Sequence, residues 1–266
     1  MKRLFKWISG LIGGALPLLL FSGQLKPMEL LNSAITFLPR IHATIETLPI
    51  PDLVNKLVDP DQSTAAPIEL PTISFDFSQL IYDGINLAIP VEENVPSFSA
   101  SDLDLAHEAW QHFSDLDHLN RVGPANAVLG QELFPTEGRE PLTIKPTGWN
   151  QKKLSNGEWL YNRSHLIGFQ LTGENNNMKN LMTGTRSFNT PGMLEYENKV
   201  MEYLKRTGNH VRYRVTPDFR DRELVARGVR MEAQSIEDNG LQFNVYIHNV
   251  QKGYTIDYQT GRATKE

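Results

Sequence analysis

Apolar and polar positions alternate in three C-terminal runs: Val211, Tyr213 and Val215 against Arg212 and Arg214; Val229 and Met231 against Arg230 and Glu232; Phe243, Val245 and Ile247 against Gln242, Asn244 and Tyr246. This alternation predicts antiparallel strands with one apolar and one polar side. Asp238-Asn239-Gly240 predicts the turn before the third run. From Pro191 to Lys205 the spacing becomes helical. Met193, Glu197, Val200 and Leu204 share one stripe, Thr190 and Pro191 suit the start, and Gly208 suits the stop. Glu197 thus interrupts an apolar face, and a carboxylate buried there needs a partner or a metal-bound water. Another helix is expected from a cap at Ser101-Asp102 through Leu105, Ala109, His112 and Phe113. Asn120 to Ala127 reads as a turn into a short strand, and Pro135 to Trp149 as extended or looped chain. Trp159 to Tyr161 and His165 to Phe169 read as strand pieces. The sum is an α+β domain.

The first half has a different grain. Lys2, Arg3 and Lys6 precede a mostly apolar stretch from Leu4 to Phe21, which predicts a signal peptide or a membrane anchor over residues 1–25. The positive flank would keep the N-terminus cytoplasmic and send the rest outward, so the chain is expected to be secreted or held extracellularly at a membrane through residues 4–21. Prolines from Pro27 to Pro96 break helical periodicity repeatedly, so residues 26–97 are expected to form a linker. Short amphipathic pieces are expected within it, at Met28 to Leu38 and around Ile41, Ile45 and Leu48. The compact domain is expected over residues 98–266.

Composition excludes some chemistry. With no cysteine there is no disulfide, thiolate metal site or cysteine nucleophile, so a metal would need nitrogen or oxygen ligands. The net charge of −5 argues against a polyanion partner until its distribution is considered. Residues 1–97 hold 6 Lys and Arg against 10 Asp and Glu, whereas residues 139–230 hold 16 against 9.

The basic segment contains Asn162-Arg163-Ser164-His165-Leu166-Ile167, then an asparagine-rich stretch reaching Asn180 and Asn189, then Glu197. A neutral imidazole is the natural base for water near neutral pH, and the company of the other groups raises His165 above a histidine satisfied by backbone carbonyls. Asn180 and Asn189 offer neutral amide oxygens that suit a hard, largely hydrated cation, whereas Asn175 to Asn177 are assigned to turn chemistry. Glu197 would orient the waters of such an ion. Arg163 is a candidate bidentate phosphate ligand, with Arg139 and Arg186 as further substrate-binding candidates, and Arg212 with Arg214 as a weaker extension of that track. These are the groups needed to cut a phosphodiester bond with one metal ion.

The stretch YNRSHLIGFQLTGENNNMKNLMTGTRSFNTPGMLEYENKV, with PTGW at Pro146 to Trp149 and NVQKGYTIDYQTG near the end, resembles the DNA/RNA non-specific endonuclease family, in particular its streptococcal DNA-entry nuclease and streptodornase branch. The likeness runs from about Trp110 to Tyr258. It implies a ββα-metal nuclease fold with a central antiparallel sheet. By position it implies His165 as general base, Arg163 as the motif arginine, Asn189 as metal ligand, Glu197 as the helix glutamate and Asn180 as a supporting asparagine. It also implies Mg²⁺, with Mn²⁺ as a substitute, and products ending in 5′-phosphate. Asn162 and Ser164 stand where the broader family has Asp and Gly, and Met201 where some relatives have an arginine. The expected function is therefore a metal-dependent endonuclease acting on DNA, RNA or both, with an inactive nucleic-acid binding or uptake module as the alternative.

Overall fold

The computed structural model describes residues 76–105 and 108–266. The expected signal or anchor over residues 1–25, and the linker with its amphipathic pieces as far as residue 75, lie outside the described residues. No helix among the described residues is long and apolar enough to cross a membrane.

The three alternating C-terminal runs form β6 (Val211–Pro217), β7 (Gly228–Ser235) and β8 (Gln242–His248). With β1 (Ala88–Pro90), β2 (Trp110–Phe113) and β3 (Ala125–Leu129) they make a six-stranded antiparallel sheet in the order β1-β8-β7-β6-β3-β2. One face carries Val211, Tyr213, Val215, Val229, Met231, Ala233, Phe243, Val245 and Ile247 into the main core. There it meets Met193, Val200 and Leu204, the apolar stripe read from the helical spacing.

The polar face is buried as well. Ser97 donates to Glu232 from both its amide and its hydroxyl, each at 2.9 Å, and Arg214 Nε donates to the same carboxylate at 2.7 Å. The Arg212 guanidinium lies 4.8 Å from the Phe98 ring centroid and 5.2 Å from that of Trp110. Asn244 donates to the Val95 carbonyl at 2.7 Å. These partners explain how charged strand residues are tolerated away from water. They also correct two expectations. Part of the segment read as linker supplies strand β1 and the cover of the sheet, and Arg212 and Arg214 are committed to internal pairing rather than a phosphate track.

The helix expected from Ser101-Asp102 to Phe113 is not formed. Ser99 and Asp102 close a tight turn, and Trp110–Phe113 pairs with β3 as a strand. Pairing and the Arg212 contact override a spacing that fits either period.

The site lies on a second layer. Strand β4 (Tyr161–His165) pairs with β5 (Leu181–Thr185), so the motif itself is the strand rather than a link between two strand pieces. A one-turn helix α1 (Phe169–Thr172) comes next, and the long helix α2 runs Leu194–Thr207. Gly208 ends α2 at φ 70°, donating to the Leu204 carbonyl at 3.0 Å, as its position predicts. The start differs: Phe188–Met193 forms an irregular wide turn, Thr190 is extended, and no side chain caps α2. A smaller ribbon of β9 (Tyr254–Ile256) and β10 (Ala263–Lys265) packs with Leu154, Leu160 and Tyr161 in a second core.

Candidate active site

His165 is the last residue of β4, and the turn immediately after it fixes its direction. Leu166 and Ile167 are fully buried, and the chain turns there because Asn180 holds it. The Asn180 amide oxygen accepts from the Ile167 amide at 2.9 Å, and its NH₂ donates to the Ile167 carbonyl at 3.0 Å. Both ends of this buried amide are thus occupied, which leaves no oxygen directed at a cation. Asn180 positions the chain after the histidine and is not part of the cavity wall.

The His165 ring, 6 % exposed, bonds through Nε2 to the Asn175 carbonyl at 2.7 Å. A carbonyl can only accept, so Nε2 carries the proton, and in the neutral ring Nδ1 keeps its lone pair. Burial lowers the imidazole pKa; the Asn175 bond opposes this, and the charge of Arg139 adds to the lowering. The ring is therefore held neutral with one nitrogen free to accept.

A cavity of about 260 Å³ opens beside it, walled by His165, Arg139, Asn189 and Glu197 together with Gly168, Phe169, Gln170, Thr190 and Leu194. Glu197 reaches it from α2 and is 9 % exposed. Burial raises its pKa to about 7, against the lowering influence of Arg139. Gly168 explains how the carboxylate fits: a Cβ there would lie 2.6 Å from Glu197 Oε2. Asn189 sits in the wide turn before α2, where its NH₂ donates to the Thr190 hydroxyl at 3.2 Å. Its Oδ1 accepts no hydrogen bond among the described residues.

That donor set fits one kind of ion. Among the described residues, no group of three or more His, Cys, Asp or Glu side chains could cage a metal. One open amide oxygen beside one buried carboxylate suits instead a hard divalent cation that keeps most of its waters.

The arginines separate. Arg139 enters the cavity, with its guanidinium 6.0 Å from the Phe169 ring centroid. Arg163 does not line it: its Nε donates to the Ile144 carbonyl, and its guanidinium stacks 4.6 Å from the Trp149 ring centroid. Arg186 pairs with Glu158 at 3.2 Å at the far end of the β4–β5 ribbon. The structure thus brings His165, Asn189, Glu197 and Arg139 together and leaves Arg163, Arg186 and Asn180 outside the cavity.

Asn162 Nδ2 and Ser164 Oγ, at the two departures from the motif, are buried without partners, so neither side chain helps to orient His165. The Asn175 carbonyl does so instead. Sequence reasoning assigned Asn175 to turn chemistry, whereas its side chain donates to the Glu140 carbonyl, 35 residues away, at 3.1 Å. A backbone acceptor leaves no side-chain signal. Gly168 offered one, as a lone glycine next to a motif, which often marks close approach of another group.

A sequence model of the DNA/RNA non-specific endonuclease family matches residues 103–237. Among solved structures, NucA from Streptococcus agalactiae with magnesium ion bound is similar at a TM-score of 0.60 and 29% identity, covering 66% of this chain and 87% of that one. Sda1 nuclease with bound zinc ion is similar at 0.55 and 30%, covering 59% and 80%. A protein described as an extracellular endonuclease shares the fold at 0.51 and 22% identity, covering 66% and 96%.

Proposed function

This chain belongs to the DNA/RNA non-specific endonuclease family and is a nuclease; from that membership we propose that its cavity hydrolyses phosphodiester bonds with His165 as general base and a hydrated divalent cation, Mg²⁺ or Mn²⁺, at Asn189. The observation that carries the reading is the Nε2–Asn175 bond, which leaves Nδ1 of a neutral ring as the proton acceptor in the same cavity as Asn189, Glu197 and Arg139.

Nδ1 takes the proton of a water aligned with the phosphorus, and the Asn175 carbonyl steadies the imidazolium that results. Such a base contributes about 10²–10⁴-fold. Arg139 sets a fixed positive charge toward the phosphate, where developing anionic charge is stabilised in place. Asn189 Oδ1 would hold the cation directly and Glu197 through its hydration waters. When bound, the ion supplies charge neutralisation at a nonbridging oxygen and at the departing 3′-oxygen. That oxygen departs, takes a proton from solvent and becomes a 3′-hydroxyl, and the other end keeps a 5′-phosphate. Arg163 would meet a phosphate beyond the cavity, by the guanidinium edge that Ile144 leaves free.

The apolar residues 4–21 behind a positive start support export, with the nuclease domain secreted or anchored outside the cell.

Plasmid cleavage with and without EDTA, by the parental protein and by His165→Ala, tests this reading. Cleavage lost on chelation, restored by Mg²⁺ and absent from His165→Ala is the expected result. Parental rates in His165→Ala would overturn the assignment. Gel retardation without cleavage in Mg²⁺ would replace a working nuclease with a binding module.

A further inference from the structure

Strand β4 is preceded by a small hairpin in which Lys153 bridges Trp159, with the turn at residues 155–157. Trp159 is 52 % exposed, unusual for the largest side chain on a short surface hairpin. Lys153 Nζ lies 4.4 Å from its ring centroid. The pairing recurs at other cations within residues 139–163. Lys152 Nζ is 5.9 Å from the Tyr254 ring, Arg163 is 4.6 Å from Trp149, and Arg139 is 6.0 Å from Phe169. Residues 139–163 hold five Lys and Arg against two acids. One of those acids, Glu158 beside Trp159, is neutralised by Arg186.

A run of cations interleaved with ring faces suits an unpaired strand: the cations meet phosphates, and an indole face stacks on any base. A duplex hides its base faces and would gain only the charges. The near-extended chain from Trp159 to His165, six residue steps, spans about 20 Å.

We propose that the Lys153–Trp159 hairpin is a single-strand docking surface, on which a base upstream or downstream of the cut stacks on the Trp159 face opposite Lys153, while Lys152 and Lys153, each with one N–H given to a main-chain carbonyl (Ala263 and Gly157) and others left over, hold its phosphates. This rests on the nuclease reading above and adds a substrate preference to it. Unpaired DNA or RNA engages both the hairpin and the cavity, and duplex engages the cavity with the charges alone.

The test uses the full chain in EDTA, titrated with a thymidine oligomer of about 12 nucleotides and with a blunt duplex of the same length, read by tryptophan fluorescence and by Kd. The parental protein should show quenching by the single strand. Trp159→Ala should lose that quenching and weaken single-strand binding roughly 5- to 150-fold. Its duplex binding should hold, and Trp159→Phe should restore most of the loss. In Mg²⁺ the Ala variant should raise KM on single strands with kcat unchanged. Lys153→Gln, which leaves the indole in place, should reduce the salt dependence by about 0.7 in log–log slope.

Single-strand affinity equal in Trp159→Ala and the parental protein would overturn the proposal. An equal fall for duplex and single strand would overturn it too, since that marks Trp159 as support for the hairpin. Absence of any cleavage by the parental protein would sink the nuclease reading instead, and the binding comparison would still be readable.

Discussion

Replacing Glu197 by Gln should make the protein more stable and less active, and the size of the first effect comes from burial. An unfolded chain ionises this carboxyl near 4.5, the folded protein only near 7. Between those values the native state retains a proton that the unfolded state has released. Native stability contributed by the protonated acid is therefore complete below about 4.5, declines as pH rises, and is gone above about 7. A gap of about 2.5 between the two pKa values, at about 1.36 kcal/mol for each, amounts to about 3 kcal/mol. Gln has the same shape and never ionises, so at pH 8 in EDTA the variant should exceed the parental protein by about that much. For a domain of this size the difference is roughly 6–12 °C in Tm. Thermal unfolding followed by circular dichroism from pH 4 to pH 8 checks it. The two curves should converge at pH 4. Adding Mg²⁺ at pH 8 should raise the parental Tm more than that of Glu197→Gln, whose neutral amide holds a cation less well. Equal Tm values at pH 8 in EDTA, or a gap independent of pH, would show that the carboxylate does not carry the desolvation cost its burial implies.

Nitrogen-15 NMR of the imidazole should place the His165 midpoint below its ordinary 6.5 and find the proton on Nε2; a midpoint above 6.5 or a proton on Nδ1 contradicts the base assignment. Asn180→Ala leaves the buried amide and carbonyl of Ile167 unpaired, and urea denaturation should register roughly 1–3 kcal/mol for each. A loss near zero would mean the clasp is redundant. Gly168→Ala drives a methyl into the Glu197 carboxylate, so kcat should fall at least about tenfold, the equivalent of about 1.4 kcal/mol, with secondary structure unchanged; parental kcat would refute the close approach. Arg139→Ala should raise KM for nucleic acid markedly. Arg186→Ala breaks only a half-exposed ion pair and should change stability by about 1 kcal/mol or less. Equal losses of activity from the two arginines would refute their placement inside and outside the cavity.

The chain's own order of residues determined what short-range geometry determines. Period-two alternation named β6, β7 and β8 and the face they bury, because a strand's side chains point alternately whatever lies around them. Helical spacing placed Glu197 among Met193, Val200 and Leu204, and Gly208 marked the end of α2 by needing a left-handed backbone. The residue types of the motif indicated phosphodiester chemistry, since imidazole, amide and carboxylate are what one-metal hydrolysis requires. Tertiary structure decided the rest. Whether Trp110–Phe113 was helix or strand turned on a partner, β3, that lies beyond the segment's own residues. The polar side of the sheet could be buried only because residues from 76 to 98, far away in the chain, bring donors to Glu232, an acceptor to Arg214 and a ring to Arg212 and Arg214. Which arginine faces the cavity was likewise settled by loop packing: Ile144 and Trp149 engage Arg163, Glu158 engages Arg186, and Arg139 is left to the cavity. The element that aims the histidine is a main-chain carbonyl, which every residue possesses, so only the folded path of the chain could select the one at Asn175.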